Sequence, residues 1–192
     1  MFFNHKVIIS FILLSFFIFD ICFSQEYSKT TSEKNLWLSG TIGFIGSSNY
    51  PGVFGDVSID YSNKLNIYSF QYFGVSDGSG LLIFTDFANL ESINKDQKSV
   101  NGFNFLYGKI NRYSFTKVSY SFGLSYMQSV HLKIIDGSRK KNYKSTIGLP
   151  LSTQMIFSPI QFFAIGVKGF INLNTFNSII GTSIGIYFGK VK

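Results

Sequence analysis

A two-residue alternation of apolar and small polar side chains constrains this chain more than any other feature. Val118, Tyr120, Phe122, Leu124 and Tyr126 interleave with Ser119, Ser121, Gly123 and Ser125 over nine residues. A period of two sends one set to each face of an extended strand, whereas a helix would mix the two sets around its axis. The same alternation recurs at Leu36–Phe44, Val57–Tyr61, Tyr68–Tyr72, Phe103–Tyr107, Ile147–Phe157, Phe163–Val167 and Ile180–Phe188. It predicts eight strands, at 36–46, 53–61, 66–74, 100–109, 116–127, 146–157, 162–172 and 179–190. No helix is needed.

Most of these strands approach the roughly 9–11 residues that a tilted strand needs to cross a bilayer, against about five to six in globular sheets. The connections alternate in length. Those at 62–65, 110–115 and 158–161 are short, while 47–52, 75–99, 128–145 and 173–178 include two much longer ones. Short turns on one rim and long loops on the other are the layout of an outer-membrane barrel. The fold class expected is therefore all-β: an eight-stranded antiparallel up-and-down transmembrane β-barrel.

Alternation alone leaves open which face meets which solvent, and a soluble lipocalin-like barrel shares the pattern. Charge placement separates the two. The eight segments hold six charged residues (Asp56, Asp60, Lys109, Lys117, Lys168 and Lys190), and their polar face is Ser, Gly, Thr, Asn and Gln rather than Lys and Glu. Small uncharged groups suit a narrow lumen that side chains nearly fill. On this reading the apolar set faces lipid, and Asp56, Asp60 and Lys168 face the lumen, where buried charge demands a partner. Tyr61, Tyr107, Phe157 and Phe188, near strand ends, are candidates for interfacial girdles. Pro150 lacks a ladder donor and so requires a bulge or an unpaired site in its strand. Segment 81–90, LLIFTDFANL, is apolar for an external loop and leaves an uncounted strand open.

Residues 1–24 carry Lys6, an apolar run from Val7 to Phe19 and then Cys22 and Ser24, the layout of a secretory signal cleaved before Gln25. The thirteen residues of this run fall short of the roughly 20 of a spanning helix. The expected organisation is a signal peptide at 1–24, a short leader at 25–35 and a barrel domain at 36–192, exported to the outer membrane of a Gram-negative bacterium. Cys22 is the one cysteine of the chain, so cleavage excludes a disulfide framework, a thiolate metal site and a cysteine nucleophile.

The signal segment, the eight alternating stretches and the closing SIIGTSIGIYFGKVK resemble small bacterial outer-membrane β-barrels of the OmpX/OmpA-transmembrane type. The stretch IGLPLSTQMIFSPIQFFAIGVKGFINLNTFNS resembles a strand, Ser-Pro turn and strand found in a subgroup of them. The resemblance implies a monomeric barrel in outer-membrane lipid. The end departs from the pattern: Gly189, Lys190, Val191 and Lys192 follow Phe188, where such barrels commonly finish on an aromatic residue.

Material for chemistry is sparse, and no catalytic, metal or cofactor-binding residue is assigned. His131 is the one histidine beyond the signal segment, with Ser129 and Asp136 nearby. Some eight-stranded outer-membrane barrels are lipid-modifying enzymes with a His, a Ser and an acidic residue near the outer rim, so these three define an alternative reading as a hydrolase. Asp86, Glu91 and Asp96 match no metal-binding loop. Gly78-Ser79-Gly80 lacks the strand-to-helix setting of a phosphate cradle. Lys133, Arg139, Lys140, Lys141 and Lys144 form a basic run suited to lipopolysaccharide or another surface ligand. The net charge of +7 does not indicate nucleic-acid binding in an exported chain. The expected role is non-enzymatic, structural or surface-interacting, through the long loops 75–99 and 128–145. A soluble exported barrel that binds an apolar ligand is the other alternative.

Overall fold

The computed structural model describes residues 34–46, 52–76, 97–135, 138–175 and 178–190. Eight strands make up the barrel: β1 (Lys34–Gly46), β2 (Gly52–Asn63), β3 (Asn66–Ser76), β4 (Gln97–Arg112), β5 (Thr116–Ile135), β6 (Ser138–Ile160), β7 (Phe163–Asn174) and β8 (Ile179–Gly189). Each pairs antiparallel with its sequence neighbours, and β8 pairs with β1 to close the ring. The ring is complete without 81–90, which lies outside the described residues together with 1–33.

The register fixes the stagger of the barrel. From Lys34 the pairing passes through Asn63, Asn66, Lys109, Tyr120, Thr153, Gly169 and Thr182, then returns to β1 at Phe44, ten residues higher. Such a shear accompanies strand tilts of roughly 35–45°. At the closing seam a side chain on Gly43 would meet the Thr182 carbonyl oxygen at 2.0 Å, so only glycine lets β8 approach there.

Every apolar set read from the alternation faces outward. Phe44 is 73% exposed, Ile147 71%, Ile184 64% and Val167 52%, and comparable residues line the outside of all eight strands. A wall of exposed Leu, Ile, Val and Phe on this scale aggregates in water and is at home in hydrocarbon. The lipocalin-like alternative needs the opposite facing.

Pro150 behaves as its chemistry requires. It pairs with Asn172 of β7, while on the β5 side pairing lapses between Phe122–Leu151 and Ser125–Gly148 and resumes in the same register. The missing donor is accommodated by an unpaired site. A separate irregularity falls between Phe157 and Ile160, around Ser158 and Pro159.

The largest departure from the sequence reading concerns 128–145, expected as a loop. Residues up to Ile135 continue β5 and residues from Ser138 continue β6, paired from Gln128↔Ser145 through Ile135↔Ser138. β4 accompanies them as far as Gln97↔Leu132. Ten residues separate Ser125, level with the last β7 pair, from Ile135, or about 33 Å of extended chain. The loop is instead a hairpin standing above the barrel.

Val167 lies mid-strand in β7, between Met155 and Ile184. Val167→Arg is expected to lower unfolding stability in phosphatidylcholine vesicles by about 2–4 kcal/mol. Denaturant titration measures this, and an unchanged midpoint would place that face in water.

Candidate functional site

Two places hold concentrated polar chemistry: the lumen and the hairpin above it. Lumen side chains sort into three layers. Trp37, Ile67, Ile110, Ile156, Ala164 and Tyr187 close the short-turn end. Ile45, Phe54, Phe73, Val75, Val100, Met127 and Ile179 close the other, with the Phe54 and Phe170 rings stacked 4.1 Å apart. Polar groups fill the space between.

The middle layer is built around charge. Lys168 Nζ donates to Asp56 Oδ2 at 2.9 Å, with both side chains buried. The two residues sit on β7 and β2, which are separated by β8 and β1, so the ion pair spans the lumen. The Thr41 hydroxyl donates to the same carboxylate oxygen at 2.7 Å and lies 3.0 Å from the Ser183 hydroxyl. Asp60 accepts from Ser58 Oγ at 2.6 Å and from Ser69 Oγ, and Ser58 in turn contacts Ser39 at 2.7 Å. Asn104 Nδ2 donates to Gln71 Oε1 at 2.7 Å. The lumen partner expected for Lys168 is thus Asp56, and hydroxyls serve Asp60.

Lys117 is a lumen cation that the sequence reading did not place. Its ammonium lies 5.3 Å from the centroid of the Trp37 ring, at the short-turn end. The signal was available: Lys117 has the parity of Ser119 and Ser121 and alternates with outward Tyr120. Among the described residues, two carboxylates and two ammonium groups therefore lie buried inside the barrel.

This filling decides what the lumen can do. A cavity of about 10 Å³ between Phe54, Gln71, Asn104 and Phe170 is at the limit for one water. Among the described residues, two apolar layers with an ion-paired polar layer between them fill the lumen.

The hairpin carries the other sequence candidates. Ser129 and His131 sit two apart on β5, opposite Lys144 and Asn142 of β6. Asp136 lies outside the described residues, as do Gly78-Ser79-Gly80, Asp86, Glu91 and Asp96. Pairing of β6 with β7 ends at Gly148↔Asn174, so among the described residues the far edge of Ser138–Ile147 pairs with no strand. The register sets Lys133 directly opposite Lys140.

No family model matches the chain, and no curated protein matches its sequence. Solved structures do match in fold. Ail of Yersinia pestis, in complex with the heparin analogue sucrose octasulfate, aligns with a TM-score of 0.57 and 11% identity, covering 83% of this chain and 99% of Ail. Neisserial surface protein A aligns with a TM-score of 0.56 and 11% identity over 83% and 99% of the two chains. The N-terminal β-barrel domain of Pseudomonas aeruginosa OprF gives a TM-score of 0.53 and 9% identity, again over 83% and 99%. The fold is that of the small outer-membrane β-barrels. At these identities the likeness carries the barrel and its eight strands, and the plugged lumen and tall β5–β6 hairpin are described from this chain's own residues.

Lys168→Met strands the Asp56 carboxylate in the lumen. It is expected to destabilise the vesicle-inserted barrel by about 3–5 kcal/mol, with much of the loss recovered in the Asp56→Asn/Lys168→Met double variant. A denaturation series checks this, and a single-variant loss below about 1 kcal/mol contradicts the bridge.

Proposed function

We propose that this chain is a non-enzymatic outer-membrane β-barrel of a Gram-negative envelope, exported by residues 1–24, which works as a monomer and binds an anionic surface polymer with its β5–β6 hairpin. The observation that carries the reading is the hairpin register, which sets Lys133 opposite Lys140 in a run that also holds Arg139, Lys141 and Lys144. Like charges directly opposite on a sheet repel. A sulfated or phosphorylated partner suits such a concentration of cationic residues, and lipopolysaccharide phosphates and sulfated glycans both supply such groups.

The filled lumen supports an assignment outside transport, and the cationic run of the hairpin supports a functional surface at the long-loop end. Ail, which shares the fold, was crystallised with a polyanion of this chemical class. The hydrolase alternative draws support from the shared face of Ser129 and His131, and its acidic member, Asp136, lies outside the described residues.

The test is retention of the mature protein on immobilised heparin in detergent. Binding that weakens with salt is expected, and the Lys133→Gln/Lys140→Gln variant should bind roughly ten-fold more weakly. Binding that is absent, or indifferent to both salt and substitution, would overturn the reading.

A further inference from the structure

The outer surface changes character in steps near the short-turn rim. On β1–β4 a register line of outward positions near the rim reads Lys34, Asn63, Asn66 and Lys109; it continues to Tyr120 on β5, with Asn111 and Val118 beyond it. Two residues further in, the next outward line reads Leu36, Tyr61, Tyr68, Tyr107 and Phe122, and the one beyond it reads Leu38, Ile59, Phe70, Phe105 and Leu124. Cation and amide, then tyrosine, then hydrocarbon is the polarity profile of a bilayer from headgroup to acyl chain.

The tyrosines form a packed arc, with ring centroids 6.3 Å apart for Tyr61–Tyr68 and 5.3 Å for Tyr68–Tyr107. Just below them the cations are positioned. Lys109 Nζ donates to Asn66 Oδ1 at 2.7 Å, and Tyr107 Oη donates to the same oxygen at 3.3 Å. Lys64 projects from the two-residue turn between β2 and β3, held at a φ of 57°. Lys34, Lys64 and Lys109 are all exposed. Among the described residues the acidic side chains are Asp56 and Asp60, both in the lumen, so no described carboxylate neutralises this arc. Glu33, beside Lys34, lies outside the described residues, and the test therefore centres on Lys64 and Lys109.

We propose that the rim formed by Lys34, Lys64 and Lys109 beneath Tyr61, Tyr68 and Tyr107 binds the phosphodiester headgroups of anionic glycerophospholipids in the leaflet at the short-turn end. This rests on the membrane reading above. A phosphate at headgroup depth meets exposed ammonium groups with no carboxylate beside them among the described residues, while the tyrosine rings pack on the upper acyl chains and direct their hydroxyls toward the same polar layer. The surface is distinct from the hairpin, which stands at the opposite end of the barrel.

Spin-labelled lipids test it on the mature protein in phosphatidylcholine vesicles. The expected result is a motionally restricted lipid shell in which spin-labelled phosphatidylglycerol is preferred over spin-labelled phosphatidylcholine by roughly two- to five-fold. The preference should fall toward parity in the Lys64→Asn/Lys109→Gln variant and in 1 M salt. Asparagine at 64 accepts the left-handed backbone, so the turn is retained. A restricted shell with no preference, or with one that the variant keeps, overturns the headgroup proposal and leaves the membrane barrel standing. Absence of a restricted shell with either label removes the membrane reading and the proposal with it.

Discussion

Closure of the sheet between β1 and β8 is the constraint on which the rest of this molecule depends. A backbone facing hydrocarbon has no water to satisfy its N–H and C=O groups, so a sheet survives there only as a ring without edges. Ten consecutive pairs from Trp37↔Gly189 to Gly46↔Ile180 supply that closure, and Gly43 lets the two strands approach. Once the ring is closed with a ten-residue stagger, strand tilt, lumen width and the height of every inward side chain follow.

The interior is consequently organised as the reverse of a soluble barrel. Its outside supplies the apolar surface, and its inside holds serines, amides and, among the described residues, four buried charged side chains. Charges in such a place persist only when matched, and the Lys168–Asp56 bridge across the lumen provides the match that also plugs it. Among the described residues apolar layers bound the polar layer at both ends, and the exposed polar chemistry lies at the rims. One rim ends in short turns, lysines and tyrosines; the other extends into the β5–β6 hairpin.

Much of this was legible in the sequence where lipid enforces the pattern. The alternation from Val118 to Tyr126 gave the facing of β5 correctly, since hydrocarbon tolerates few exceptions on one face and a narrow lumen few large groups on the other. The hairpin was missed because above the membrane that pressure disappears: SRKKNYKS at 138–145 is polar throughout and reads as loop, although cross-strand hydrogen bonds keep it extended. Lys117 was legible by parity but overlooked at the head of its strand. That Lys168 meets Asp56 rather than Asp60 depends on the shear, a property of the closed ring that no single segment contains.

The most direct test of the central claim, a closed barrel with its apolar face in lipid, is gel mobility of the mature protein from fractionated envelopes, boiled against unboiled. The account predicts a protein that fractionates with the outer membrane and migrates differently before boiling, because a closed ring of strand pairs resists detergent until it is heated. A protein that remains in the soluble fraction with one mobility under both conditions would contradict it.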